Sequence, residues 1–69
     1  MISYVLKNNH RFAVEFYIYE DKNYRWGNLN EAKLFDDETE ASNECKYIKY
    51  CCNAPDCKVV KVEIKEIKE

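Results

Sequence analysis

The feature that most constrains the fold is a change of hydrophobic period near the end of the chain. Residues with a helical spacing come first, at Ala41, Cys45, Ile48 and Cys52. After residues 53–56, apolar and charged residues alternate, with Val60, Val62 and Ile64 on one side. A spacing of about 3.6 residues marks one face of a helix, whereas strict alternation marks one face of a strand. A helix that turns into a half-buried strand needs a sheet to pack on, which predicts an α+β domain.

Three further strands are predicted before the helix. Residues 2–6 form the first, a turn at residues 8–10 follows, and residues 12–18 have the most regular alternation in the chain. A third strand, residues 24–26, ends at Gly27. We expect one apolar face of the second strand to lie under the helix, with Phe12, Val14, Phe16 and Ile18 on it. Tyr17 and Tyr19 would then lie on the open face of the sheet.

The helix is predicted to begin after an aspartate cap, at Asp37 or Asp36, and to run to Cys51 or Cys52. Asn53 fits a left-handed cap, and Pro55 prevents the helix from continuing. The segment 32–35 is ambiguous between a further piece of sheet and a loop that anchors Leu34 and Phe35 in the core. The predicted order is β-β-β-α-β: a three- or four-stranded antiparallel sheet with one helix packed on one face, in a single domain covering residues 1–69. Past Ile67 the charged end is expected to fray.

Size and charge exclude several classes of protein. The chain has 69 residues, of which 46% are hydrophobic, and a net charge of −2. No stretch approaches the roughly 20 apolar residues of a membrane span, and the first residues do not have the basic start of a secretory signal. We therefore expect a cytoplasmic protein with no membrane partner. The acidic balance argues against nucleic-acid binding, which needs clustered Lys and Arg.

Four cysteines lie within a short stretch, at Cys45, Cys51, Cys52 and Cys57. Structural zinc sites usually pair ligands two to four residues apart on a turn, and this spacing does not match that pattern. The favoured interpretation is core packing, with Cys45 and Cys52 on the inner face of the helix and Cys51 and Cys57 exposed near the turn. A metal site and a disulfide remain the alternatives.

No catalytic constellation is present in the sequence. His10 is the only histidine, it falls in a predicted turn, and no serine or cysteine is near it in sequence. Gly27 is the only glycine, so a glycine-rich phosphate loop cannot form. We therefore expect no enzyme activity, no cofactor and no bound metal.

Two groups of residues are candidates for a partner-binding surface. The first is aromatic and consists of Tyr17, Tyr19, Tyr24 and Trp26. Tyr and Trp are enriched at interface hot spots, although they could equally cover the back of a sheet or stack on single-stranded RNA. The second is acidic and consists of Asp36, Asp37, Glu38 and Glu40. These carboxylates suit a solvated helix start, or they could dock on a basic surface.

The chain resembles short proteins encoded by bacteriophages and prophages of low-GC bacteria. The resemblance lies in the opening residues 4–7, the strand end at Trp26, residues 32–36 running into Glu40 and Ala41, and the closing strand from Val59 to Ile64. Many such proteins bind and block a host protein, anti-CRISPR and other anti-defence inhibitors among them. The resemblance implies this class, with a host cell's cytoplasm as the location and a host protein of unknown identity as the partner.

The sequence therefore predicts a small, non-catalytic binding protein. Two alternatives stay open: a structural homodimer in which the open sheet faces of two copies pack together, and a module that binds nucleic acid or metal.

Overall fold

A computed structural model describes residues 1–63 of the chain. The strands are β1 (Ile2–Asn8), β2 (Arg11–Ile18), β3 (Asp21–Gly27) and β4 (Lys58–Glu63), and the helix is α1 (Glu38–Cys51). A short 3-10 helix, Leu29–Glu31, follows β3. All strand pairs are antiparallel, and the sheet has the order β3-β2-β1-β4. The predicted β-β-β-α-β architecture is confirmed, whereas the predictions for Ile64 and Ile67 lie outside the described residues.

The helix begins and ends where the sequence predicts. The Asp37 side chain accepts a 2.9 Å hydrogen bond from the Thr39 amide, which caps the first turn. The helix ends at Cys51, and Asn53 adopts the expected left-handed backbone with φ 51°. Within residues 1–63, no helix has the length and apolar character that crossing a membrane requires.

The core lies between α1 and the β1–β4 half of the sheet, since the helix packs against these two strands. Its buried members are Leu6, Ala13, Phe35, Ala41, Cys45, Ile48, Ala54 and Cys57. Tyr4, Tyr24, Trp26 and Val59 are partly buried and pack against this cluster. The predicted helix stripe is confirmed for Ala41, Cys45 and Ile48, because all three are buried.

The prediction for two cysteines is wrong. Cys52 is exposed as the residue that caps the end of α1, and Cys57 is buried in the core. The helical stripe does not extend to Cys52 because the helix stops one residue before it. The Cys57 amide donates a 3.1 Å hydrogen bond to the Ala54 carbonyl in the turn. This turn brings both Ala54 and Cys57 into the core cluster.

The face assigned to β2 is also wrong. Ala13, which pairs with Trp26, is fully buried in the core with the helix residues. Strand alternation therefore places Phe12, Val14, Phe16 and Ile18 on the opposite face. Alternation alone separates two faces without saying which one the helix covers, and the small Ala13 side chain leaves room on the helix side that a phenylalanine would not.

The face opposite the helix is partly covered by the segment that follows β3. Val5 and Val14 are buried on this face although neither belongs to the core cluster under the helix. Gly27 marks a close approach: a Cβ atom there would lie 2.8 Å from a Glu31 carboxylate oxygen and 3.0 Å from a Val14 methyl. The sheet therefore buries side chains on both faces, under the helix on one side and beside the 3-10 segment on the other.

Within the ambiguous segment 32–35, the backbone of Lys33 and Phe35 hydrogen-bonds to β2 and β1, respectively. The Lys33 amide donates to the Ala13 carbonyl (2.9 Å), and Tyr4 and Phe35 exchange two backbone hydrogen bonds of 2.8 and 2.9 Å. Paired residues of β1 and β2 are confined to the turn end, at Lys7 with Phe12 and Asn8 with Arg11. Both alternatives for this segment are thus partly right, since it extends the sheet and buries Phe35 while Leu34 stays exposed.

Candidate partner-binding surface

Three consecutive large side chains are exposed to solvent at the end of the β2–β3 hairpin. We call residues 17–21 the hairpin tip. Tyr17, Ile18 and Tyr19 are 59%, 53% and 98% exposed, respectively. Tyr17 lies on the helix side of the sheet, Ile18 lies on the other side, and Tyr19 is in the connecting turn. The tip therefore presents apolar or aromatic groups to solvent in more than one direction.

The backbone of the tip is held in ladder pairing up to the turn. Tyr17 pairs with Lys22 and Ile18 pairs with Asp21, which leaves a turn of two residues, Tyr19 and Glu20. Tyr17 and Ile18 consequently project from paired strands, which limits the conformational entropy that a partner's binding would remove.

Tyr19 has an unusual backbone conformation for a bulky residue. Its φ is 56°, in the left-handed region that glycine and asparagine tolerate best. The equivalent position of the β1–β2 turn is occupied by Asn9, with φ 57°. Left-handed backbone costs a residue such as tyrosine about 1 kcal/mol. Tyr19 therefore lowers the stability of the fold relative to an asparagine at the same turn position.

A polar network behind the tip joins β2 to Lys33 in the segment before the helix. The Tyr17 hydroxyl donates a 2.8 Å hydrogen bond to one Glu15 carboxylate oxygen, and Lys33 lies 3.3 Å from the other. Burial alone would raise the pKa of Glu15, but the hydrogen bonds from Tyr17 and Lys33 outweigh it and the pKa is lowered. The same hydrogen bond raises the pKa of Tyr17, because ionisation would place a second negative charge beside Glu15.

A second polar contact joins the hairpin to the helix. Glu44 on α1 accepts a 2.7 Å hydrogen bond from the Tyr24 hydroxyl, and Lys22 lies 3.4 Å from its other oxygen. Burial is the main cause that raises the pKa of Tyr24, and the hydrogen bond to Glu44 adds to it. The charges at the base of the tip are therefore largely matched within the fold. The tip itself offers Tyr17, Ile18 and Tyr19, together with the exposed side chains of Glu20 and Asp21.

The structure separates the predicted aromatic group into two parts. Tyr17 and Tyr19 are exposed at the tip, whereas Tyr24 and Trp26 are half-buried against the core cluster. A partner at the tip would meet the first pair directly. The assignment of Tyr24 and Trp26 to a binding surface stays a prediction.

The predicted acidic group lies at the start of α1. Its four carboxylates, Asp36, Asp37, Glu38 and Glu40, are exposed. Asp37 has a role in the fold as the helix cap, and its neighbours favour the positive end of the helix dipole. A role for this group in docking stays a prediction.

Ile18 is the residue at the tip that the sequence prediction did not select. Its place on the apolar face of the most regular strand assigned it to the core. The signal that could have identified it is its position directly before a two-residue turn, since strand ends project beyond the elements that cover a sheet's centre.

The structure brings few groups together that could perform chemistry. His10 is exposed in the turn between β1 and β2, close to Trp26. Among residues 1–63, no cluster of three or more His, Cys, Asp or Glu side chains has a geometry that could hold a metal ion.

Comparison with known proteins identifies no relative, because no protein-family model, curated protein or solved structure matches the chain.

Proposed function

We propose that this chain is a non-catalytic binding protein that occupies a surface of a host protein through its hairpin tip. The observation that carries the proposal is the run of three exposed large side chains, Tyr17, Ile18 and Tyr19, of which the first two lie on paired backbone and the third in the two-residue turn that joins the strands. Aromatic side chains of this kind supply large contact areas with little loss of conformational entropy, and they dominate the energetics of many interfaces.

The conformation of Tyr19 supports the same conclusion. Its side chain is almost fully exposed, so it contributes little to the core, and its left-handed backbone opposes folding. A residue that lowers stability without packing against the fold is best explained by a contact outside the fold, since strained backbone positions concentrate at functional sites.

The acidic helix start would add a second, electrostatic contribution. Exposed carboxylates raise the association rate with a basic partner surface without needing close packing. In this proposal the tip sets the affinity, while Asp36, Glu38 and Glu40 steer the encounter.

The resemblance to small phage and prophage proteins suggests the biological setting. The protein would be an anti-defence inhibitor of the anti-CRISPR kind, produced in the cytoplasm of the host cell, and its partner would be a host protein. Such an inhibitor acts by blocking a surface, which agrees with a candidate site that offers contact area and no nucleophile–base pair.

A site-specific photo-crosslinker tests this proposal. A benzophenone amino acid would replace Tyr19 in one variant and Tyr50 in another, because Tyr50 is 89% exposed on the helix and serves as the matched control. In host-cell lysate we expect a discrete crosslinked protein from position 19 and none from position 50. Equal crosslinking at both positions, or crosslinking at position 50 alone, would show that the tip is not the interface.

One observation favours a homodimer as the second candidate. Ile18, Leu29 and Leu34 are each about half exposed, and all three lie on or beside the sheet face opposite the helix. Two copies packed through this face would bury these side chains. Sedimentation equilibrium at micromolar concentration distinguishes the candidates, since the proposed inhibitor is expected to be a monomer.

A further inference from the structure

Two of the four cysteines meet inside the core. The Sγ atoms of Cys45 and Cys57 are 3.6 Å apart, and the Cys45 thiol also lies 3.4 Å from the Cys57 carbonyl oxygen, to which it can donate a hydrogen bond. Both residues are buried and both thiols are free. Cys45 lies in the middle of α1, and Cys57 directly precedes β4.

The backbone holds this pair in place from both sides. Cys45 is central in a capped helix, between the buried Ala41 and Ile48. Cys57 is fixed by its amide hydrogen bond to Ala54 and by the start of the β1–β4 ladder. A disulfide has a bond length of about 2 Å, so bond formation requires the two sulfur atoms to approach each other by about 1.6 Å.

We propose that Cys45 and Cys57 form a reversible intramolecular disulfide, which acts as a redox-dependent link between α1 and β4. The oxidant is a low-molecular-weight disulfide of the glutathione class. One protein thiolate attacks that disulfide, forms a mixed disulfide and releases one glutathione thiol. The second protein thiolate then displaces the second glutathione. Two protein thiols are oxidised, one glutathione disulfide is reduced to two thiols, and the two protons pass to the released thiolates.

Burial determines how fast this reaction proceeds. Burial is the main cause that raises the pKa of the Cys57 thiol to about 12, and the contact with Cys45 adds to it. Little thiolate is therefore present at neutral pH, and the thiolate is the reactive form. The exposed Cys51 and Cys52 are expected to react first, so the buried pair responds to sustained rather than brief oxidation.

The decisive experiment uses the variant Cys51→Ser/Cys52→Ser, which changes only exposed residues and leaves one cysteine pair. After incubation with excess oxidised glutathione under native conditions, remaining thiols are alkylated and the protein is digested with trypsin. Trypsin separates Cys45, in the peptide that ends at Lys46, from Cys57, in the peptide 50–58. We expect these two peptides to be linked in a monomeric protein that has lost two hydrogens.

The oxidised variant should also melt at a higher temperature, by about 10–20 °C, because the link lowers the conformational entropy of the unfolded chain. Reduction should reverse this shift. The control is Cys57→Ala in the wild-type background, in which oxidation should produce no such rise.

Free thiols at positions 45 and 57 after prolonged native oxidation would overturn the proposal. The same holds for a link that forms only in denaturant, or for one that joins two chains. A disulfide that forms natively but leaves the melting temperature unchanged would also overturn it, since the link would then not act between α1 and β4.

Discussion

The Tyr24 hydroxyl and the Glu44 carboxylate join the hairpin to the helix through a 2.7 Å hydrogen bond that spans 20 residues of sequence. Since α1 packs mainly on β1 and β4, this bond and the neighbouring Lys22–Glu44 ion pair are the specific polar contacts that tie β3 to the helix in the described part of the chain. Apart from the apolar packing on the core, the position of the hairpin relative to the helix therefore depends on few polar groups.

Removing that hydroxyl should destabilise the protein measurably. Hydrogen bonds to charged groups contribute about 1.5–3 kcal/mol, and partial exposure places Tyr24→Phe near the lower end of this range. Tyr17→Phe is the matched control, because its hydroxyl also donates to a carboxylate but at an exposed site, where we expect a smaller loss than for Tyr24→Phe. Urea denaturation at neutral pH measures both, and equal losses would contradict the role given to the Tyr24 bond.

The left-handed turn position predicts that stability and binding will change in opposite directions. Tyr19→Asn should stabilise the protein by roughly 0.5–1 kcal/mol, because asparagine tolerates this backbone. The same substitution should weaken partner binding. Tyr50→Asn, at an exposed helical position, is the control and should not stabilise the fold. A Tyr19→Asn variant that is less stable than the wild type would remove the strain argument for this residue.

Truncation of Tyr17 tests the hairpin tip as an interface. Loss of a hot-spot aromatic costs about 2 kcal/mol, so Tyr17→Ala should weaken binding to the captured partner about thirtyfold. Calorimetry or surface-based kinetics would report this loss.

The reversal Glu38→Lys/Glu40→Lys provides the comparison for Tyr17→Ala, and it leaves the capping residue Asp37 intact. We expect it to slow association and remove its salt dependence while the dissociation rate changes little. If it abolished binding while Tyr17→Ala had no effect, the acidic helix start would be the interface.

The two faces of the sheet should respond differently to truncation. Leu6 is fully buried under the helix, so Leu6→Ala should cost about 2–5 kcal/mol. Phe16 lies on the opposite face and is only half-buried, so Phe16→Ala should cost less than Leu6→Ala despite removing a larger side chain. Thermal melts followed by circular dichroism would rank them, and the reverse order would mean that Phe16 is the more deeply packed residue.

Thiol reactivity should follow the corrected positions of the cysteines. Cys51 and Cys52 are exposed, so both should label rapidly in the native, reduced protein. Cys45 and Cys57 should label slowly, because both are buried and the pKa of Cys57 is raised. Mass spectrometry after timed alkylation measures each site, and fast labelling at Cys57 would contradict the packing described for the turn.

Local patterns in the sequence predict much of this fold, because its elements have strong local determinants. The cap at Asp37, the helix end and the left-handed Asn53 each depend on residues within one or two turns of the chain. Local patterns did not predict which face of β2 lies under the helix. Phe12 and Phe16 make the more apolar face, but the packing of residues 29–31 on that side is a long-range choice that alternation does not encode.

The candidate site was predictable only in part. Their residue type alone identified Tyr17 and Tyr19 as candidates for a binding surface. The structural reason for their exposure differs from the predicted one. The sequence argument placed them on an open sheet face, but Tyr17 lies on the helix side and is exposed at the end of the hairpin, whereas α1 packs mainly on β1 and β4. The pairing of Cys45 with Cys57 depends on the path of the chain through the turn, which spacing alone does not reveal.

The pairing of β1 with β4 has a consequence for how the chain acquires its structure during synthesis. Ile2 pairs with Glu63 and Lys7 pairs with Lys58, so β1 is synthesised before all of β2, β3 and α1 but pairs with a strand that follows them. The β2–β3 hairpin needs only neighbouring residues and can form well before that. The nascent chain therefore carries an early hairpin beside a first strand whose β4-facing edge is unpaired, and the β1–β4 ladder closes only once residues 58–63 have emerged.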